Sequence, residues 1–185
     1  MIQTGQLAPA FNGKTFRGEP IDLASYRGKK VWLGFYRWAS CPLCNLRISE
    51  VIQQAKEFEE AGIQLIAVFH SPPENIASFV GTQNPPFPIV ADPTLELYQR
   101  YGVAPRIFGL LHLRVFWRAF RGLFAGFIPW KIDTPVHMVP ADFLVDPEGL
   151  IYQAYYGDAV SDHIPFDDVR TFGADLCLDM PEPAV

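Results

Sequence analysis

The sequence predicts an α/β domain built on a central mixed β-sheet with helices on its faces, and three observations predict it. An apolar run, Val31 to Tyr36, is followed by a helix-periodic stretch, Pro42 to Glu60, and then by a second apolar run, Ile63 to Phe69. Apolar strands flanking a helix imply a parallel, right-handed crossover buried on both faces. Farther on, Asp142 to Val145 and Leu150 to Tyr156 read as strands joined by Asp146-Pro147-Glu148-Gly149, a hairpin turn with Pro at its second position.

The remaining elements follow from local chemistry. Asn12-Gly13, Gly18 and Gly28 read as turns between short strands. Gly62 stops the long helix. Pro73 to Val80 and Pro93 to Tyr101 read as helices, and Phe87 to Val90 as extended. A last helix opens near Pro165, where Asp167 and Asp168 suit the positive end of its dipole. With 185 residues, 49% hydrophobic and 19% charged, the chain has the size and composition of one domain with a real core, and wholesale disorder is excluded. Neither an internal repeat nor a low-complexity linker divides it, so residues 1–185 are expected to form a single domain.

The chemistry lies at Cys41-Pro42-Leu43-Cys44, where the first strand gives way to the helix. Backbone N–H groups and the macrodipole at a helix N-terminus stabilise a thiolate, and lower a thiol pKa from about 8.5 into a range of roughly 3.5 to 7.5. In sheets of this kind the reactive loop lies beyond the carboxyl end of a strand. Cys44 begins the apolar stripe Cys44, Ile48, Val51, Ile52, Ala55 and Phe58, so it is expected to be shielded. Cys41, one turn earlier and beside a helix-opening proline, is expected to be the more exposed thiol. On this reading Cys41 attacks a substrate sulfur or oxygen, and Cys44 closes a disulfide.

A Cys-x-x-Cys pair also serves as half of a zinc site, but such a site needs two further ligands. Cys177, His70, His112, His137 and His163 are scattered singly, so no metal and no other cofactor is expected. Cys177 reads as a small buried hydrophobe. Three cysteines, two in one motif, suit a reducing compartment. Met1 to Gln6 lacks the features of a signal peptide, so a cytoplasmic location is expected. A net charge of -5 argues against nucleic acid as a partner.

Taken together, the chain resembles a thioredoxin-fold protein of the peroxiredoxin-like group, the alkyl hydroperoxide reductase and thiol-specific antioxidant family. The resemblance is carried by Gly5-Gln6-Leu7-Ala8-Pro9-Ala10-Phe11, Val31 to Tyr36, Phe87 to Pro93, Tyr101-Gly102-Val103 and Phe143 to Gly149. It implies a thioredoxin-like fold, a hydroperoxide or disulfide substrate, and a thioredoxin- or glutathione-type reductant. The family's Pro, Thr or Ser, and peroxidatic Cys fall at Arg37, Cys41 and Cys44, so the resemblance makes Cys44 the attacking sulfur where helix position favours Cys41. The family's peroxide-activating arginine falls at Pro140, which resembles instead the cis-proline opposite the thioredoxin disulfide. Arg37 is either a group that stabilises the thiolate or polarises a peroxide oxygen, or a solvated loop charge. Trp38 and Pro42, beside the cysteines, are candidate substrate-binding residues, with packing the plain alternative for Trp38.

Residues 107–130 are not explained by the resemblance. Arg114, Arg118 and Arg121 recur at helical spacing opposite Leu113, Phe116, Trp117, Phe120, Phe124 and Phe127, an amphipathic helix forming an insertion over about 105–130. Central arginines, each costing roughly 2.5 to 3.5 kcal/mol on an insertion scale, make it a poor membrane span. Its apolar face is expected to pack on this domain or on a second copy in a homodimer; interfacial membrane contact and a substrate-site lid are the alternatives.

Three functions follow from these features. The first is a thiol-dependent antioxidant peroxidase cycling through a Cys41–Cys44 disulfide. The second is a thioredoxin-like thiol-disulfide oxidoreductase. The third is a redox-switched binding module that uses the 107–130 helix.

Overall fold

A computed structural model describes residues 1–105 and 138–175. The expected 107–130 helix, Cys177, His112 and His137 lie outside the described residues.

The described elements are β1 (Asn12–Lys14), β2 (Pro20–Asp22), β3 (Lys30–Phe35), α1 (Pro42–Glu60), β4 (Ile63–Phe69), α2 (Pro73–Ser78), β5 (Ile89–Ala91), α3 (Glu96–Arg100), β6 (Ala141–Val145), β7 (Ile151–Tyr156) and α4 (Phe166–Asp175). Five strands form the main sheet in the order β5-β4-β3-β6-β7, with β3 parallel to β4 and antiparallel to β6. Pairs β4–β5 and β6–β7 are parallel and antiparallel, respectively. The mixed sheet and the crossover through α1 are as expected.

β3 is buried along its whole length, which fits a central strand covered on both faces. Because side chains alternate, Trp32 and Tyr36 face a layer containing Cys44, Ile48, Val51 and Phe58 of α1 and Phe172 of α4. Val31, Leu33 and Phe35 face the opposite layer, with Tyr98, Tyr101 and Phe143. Trp32 meets Phe58 edge-on at 5.5 Å, and Phe35 meets Tyr98 edge-on at 5.1 Å. Truncating a residue such as Ile48 in this layer would cost about 2–5 kcal/mol.

The ends of α1 follow from its sequence. Pro42 opens it, and Gly62, at φ +75°, closes it while its N–H bonds to the Glu59 carbonyl. The hairpin turn at 146–149 is formed by Gly149 N–H donating to the Asp146 carbonyl.

Three local expectations are corrected. Asn12 and Gly13 do not turn; they pair with Asp22 and Ile21 in β1–β2, and the reversal falls at Thr15 to Glu19, where Gly18 has φ +87°. The helix expected over Pro93 to Tyr101 is only Glu96–Arg100, because the Asp92 carboxylate takes the N–H groups of Glu96 and Leu97 while Leu95 lies at φ +62°. The Pro73 to Val80 helix ends at Ser78 and passes into a 3-10 turn, Val80–Gln83.

At one end of the sheet the chain leaves β3, β4 and β5 and enters β6, since Phe35 pairs with both Val68 and Ala141, and Phe69 with Ala91. Arg37, His70, Asp92 and Pro140 therefore share that end with the Cys41–Cys44 motif. Among the described residues, no helix is long and apolar enough to cross a membrane.

Candidate active site

Cys41 is the N-cap residue of α1, with extended backbone and no side-chain capping bond, so its sulfur remains available for chemistry. The loop from Tyr36 to Cys41 is fixed from three sides. The Tyr98 hydroxyl donates to the Tyr36 carbonyl, and the His70 N–H donates to the Arg37 carbonyl at 3.0 Å. The Ala39 N–H donates to Ser71 Oγ at 2.9 Å. From inside α1, Asn45 Nδ2 donates to the carbonyls of Ala39 (2.6 Å) and Cys41 (2.9 Å), while Gln83 Nε2 donates to Asn45 Oδ1 at 3.0 Å.

Both cysteines are free thiols, and both are buried, at 1% exposure for Cys41 and 2% for Cys44. The expectation of an exposed Cys41 is thus corrected: the loop folds inward, and Trp38 and Ala39 are buried with it. Electrostatics, not exposure, separates the two sulfurs. Burial pushes the Cys41 thiol up, but a hydrogen bond from Cys44, the Arg37 charge, and the N–H groups of Cys44 and Leu43 outweigh it and bring it to about 6. Burial first, then the hydrogen bond to and charge of Cys41, push the Cys44 thiol well above its ordinary value. At neutral pH a thiol near 6 is about nine-tenths ionised, whereas Cys44 keeps its proton.

Arg37 is 3% exposed, so the picture of a solvated loop charge is corrected. Its Nη1 lies 3.6 Å from Cys41 Sγ and its guanidinium 4.2 Å from the Trp38 ring centre. Trp38 is buried, and its Nε1 has no hydrogen-bond partner among the described residues. Pro42 is half-buried beside the pair.

Pro140 is buried just before β6, at the sheet end that carries the motif, and its carbonyl accepts from Gly157 N–H at 3.0 Å. The likeness to a cis-proline is corrected: no cis peptide bond occurs among the described residues, in keeping with the trans preference of X-Pro bonds. Among the described residues, no group of three or more His, Cys, Asp or Glu side chains is placed to hold a metal ion.

Sequence reasoning missed the polar groups that build the site's floor. Asp142, wholly buried on β6, accepts from Trp32 Nε1 (3.0 Å), His163 Nδ1 (2.9 Å) and Ile164 N–H (3.0 Å). Asn45 and Asp142 each interrupt an apolar pattern, and that interruption was the only signal available.

A thiolate at a helix N-terminus, a second thiol one turn on and a parallel strand crossover define a thioredoxin-fold thiol oxidoreductase. The sequence model of the AhpC/TSA family matches residues 4–154, and the chain belongs to that family. A Mycobacterium tuberculosis protein provisionally named a peroxiredoxin is 26% identical over 165 residues, 88% of this chain and 90% of that one. The thiol-disulfide oxidoreductase ResA of Halalkalibacterium halodurans is 33% identical over 107 residues, 57% of this chain and 60% of that one. The crystal structure of the peroxidoxin BcpB from Mycobacterium tuberculosis matches the fold with a TM-score of 0.68 at 17% identity, covering 98% of this chain and 100% of that one.

Proposed function

We propose that this protein reduces hydroperoxides through a dithiol-disulfide cycle in which Cys41 attacks and Cys44 resolves. The observation that carries the assignment is the Arg37–Cys41 contact at the N-cap of α1, which places a cation and two backbone N–H groups around one sulfur. The Cys41 thiolate attacks the terminal oxygen of R–O–O–H. The O–O bond breaks, an S–O bond forms, and the departing alkoxide takes a proton to leave as the alcohol. Cys44 then displaces hydroxide from the Cys41 sulfenic acid, giving the Cys41–Cys44 disulfide and water. A thioredoxin- or glutathione-type thiol returns two electrons and restores both thiols. No metal or other cofactor enters this cycle. Arg37 supplies charge to the thiolate and to the developing oxyanion, and Trp38 and Pro42 contact the substrate's organic part.

A second reading, disulfide exchange by the same pair, is favoured by the 33% identity to ResA. Peroxide and disulfide substrates assayed side by side, with NADPH-coupled regeneration, separate the two. Turnover of peroxide with negligible insulin reduction supports the first; the reverse result selects the second. Reversible thiols suit a reducing compartment, and we place the protein in the cytoplasm on that ground. The single-domain organisation and association into a homodimer belong to this proposal as well.

A further inference from the structure

Strand β3 ends in a way that its own register does not predict. In the parallel ladder Phe35 pairs with Val68, and the Tyr36 N–H donates to the Val68 carbonyl at 2.9 Å. Carried one step farther, that ladder would send the His70 N–H to the Tyr36 carbonyl. The His70 N–H goes instead to the Arg37 carbonyl, at 3.0 Å. One extra residue is thus inserted at the end of β3, a bulge that leaves the Tyr36 carbonyl without its partner on β4.

The bulge decides where Arg37 points. Side chains alternate along β3, so that Trp32 and Tyr36 face the layer of α1, while Val31, Leu33 and Phe35 face the layer of α3. Under unbroken alternation Arg37 would follow Phe35 onto the side of the sheet away from both cysteines. Its Nη1 lies instead 3.6 Å from Cys41 Sγ, and its guanidinium 4.2 Å from the Trp38 ring centre. Cys41 and Trp38 both belong to the α1 layer.

Tyr98 of α3 takes up the carbonyl that the bulge frees. Its hydroxyl donates to the Tyr36 carbonyl, and the Val68 carbonyl lies 3.1 Å from the same oxygen, at the point where β3 and β4 part. Burial first, then the charges of Asp92 and Cys44, push the Tyr98 phenol well above its ordinary value, against a backbone bond from His70. The hydroxyl therefore keeps its proton and remains a donor while Cys41 titrates.

The ring that carries this hydroxyl has little freedom. Asp92 Oδ2 accepts from the N–H groups of Leu97 (2.8 Å) and Tyr98 (3.3 Å), and the Asp92 N–H donates to the Phe69 carbonyl at 2.9 Å. The Tyr98 ring meets Phe35 edge-on at 5.1 Å and lies 6.2 Å from the His70 ring.

We infer that Tyr98 is a positioning residue of the active site: its hydroxyl holds the bulge at Tyr36 and Arg37, and the bulge brings Arg37 to Cys41. The inference rests on the reading of Cys41 as the attacking thiol activated by Arg37. Tyr98 acts through the backbone and not on the sulfur. Without the hydroxyl, the buried Tyr36 carbonyl lacks a donor, and the His70 N–H is drawn back to it. Arg37 then turns toward the other face, and the Cys41 thiolate loses its cation.

The test uses Tyr98→Phe in the reduced full-length protein, which keeps the ring against Phe35 and removes only the hydroxyl. Thiolate absorbance against pH reads the Cys41 midpoint in this variant, in Arg37→Met, in the two combined, and in Tyr101→Phe, whose hydroxyl bonds the Pro9 carbonyl in the same layer. Tyr98→Phe is expected to raise the midpoint by about one unit, the double variant to titrate with Arg37→Met, and Tyr101→Phe with the parent. Nuclear magnetic resonance couplings across hydrogen bonds are expected to place the His70 N–H on the Arg37 carbonyl in the parent and on the Tyr36 carbonyl in Tyr98→Phe. A Tyr98→Phe midpoint equal to the parent's, with Arg37→Met raised, overturns the inference and leaves the role of Arg37 standing. An equal rise in Tyr101→Phe overturns it too, since loosening the layer then suffices. A coupling from His70 to the Tyr36 carbonyl in the parent does so whether or not the variant folds. If Arg37→Met itself titrates with the parent, the activation of Cys41 by Arg37 fails, and this inference fails with it.

Discussion

Arg37 Nη1 lies 3.6 Å from Cys41 Sγ, and the same guanidinium lies 4.2 Å from the ring centre of Trp38, so a buried cation is shared between a sulfur and an aromatic face. Replacing Arg37 with Met keeps an apolar stem against Trp38 and removes the charge. The Cys41 pKa, about 6 in the parent, is expected to rise by about one to three units. Thiolate absorbance against pH measures it directly, and an unchanged midpoint would separate Arg37 from the activation of Cys41.

The depressed Cys41 pKa also makes stability depend on pH. Between about 6, its folded value, and about 8.5, its ordinary value, the folded state binds fewer protons at this sulfur than the unfolded state does. Stability of the reduced protein therefore rises with pH across that window, and the contribution is gone below about 6. Cys44, pushed upward, acts in the opposite sense only above about 8.5. Denaturant midpoints of the parent are expected to climb from pH 6 to 8, and Cys41→Ala is expected to flatten that climb.

Asn45 ties the motif loop to its own helix, so Asn45→Ala leaves the carbonyls of Ala39 and Cys41 without their side-chain donor. Loss of buried hydrogen bonds of this kind costs about 1–3 kcal/mol. Denaturant titration should show that loss, together with slower alkylation of Cys41 under native conditions. Loss of stability with undiminished Cys41 reactivity would assign Asn45 to packing alone.

Gly34 leaves little room for a methyl group, because a Cβ would lie 3.0 Å from Tyr36 Cε2 and 3.2 Å from Asp142 Oδ1. Neither neighbour gives way easily: Tyr36 stacks on Phe69, and Asp142 holds three hydrogen bonds. Gly34→Ala is expected to destabilise the protein by about 1–3 kcal/mol, read from denaturant midpoints.

The sheet and its principal helix were legible because their signals are long: Pro42 to Glu60 and Ile63 to Phe69 are observed with the expected bounds. Short elements were less so. Asn12-Gly13 carries turn residues yet pairs as a strand, and Asp92 shortens α3 by capping it from four residues before Glu96. At the site, spacing located both cysteines and singled out Arg37, but a helix-terminal position gave no sign that the loop around Cys41 folds inward. Asp142 and His163 lie 21 positions apart, and only the return of the chain at Gly157 brings them together.

Mass spectrometry after peroxide treatment in the presence of dimedone, on Cys44→Ser and Cys41→Ser, tests the division of labour between the sulfurs most directly. A sulfenic acid trapped on Cys41 in the Cys44→Ser protein, with no adduct in Cys41→Ser, is the predicted result. An adduct on Cys44 in the Cys41→Ser protein, with Cys41 unmodified in the other variant, would contradict it and make Cys44 the attacking sulfur.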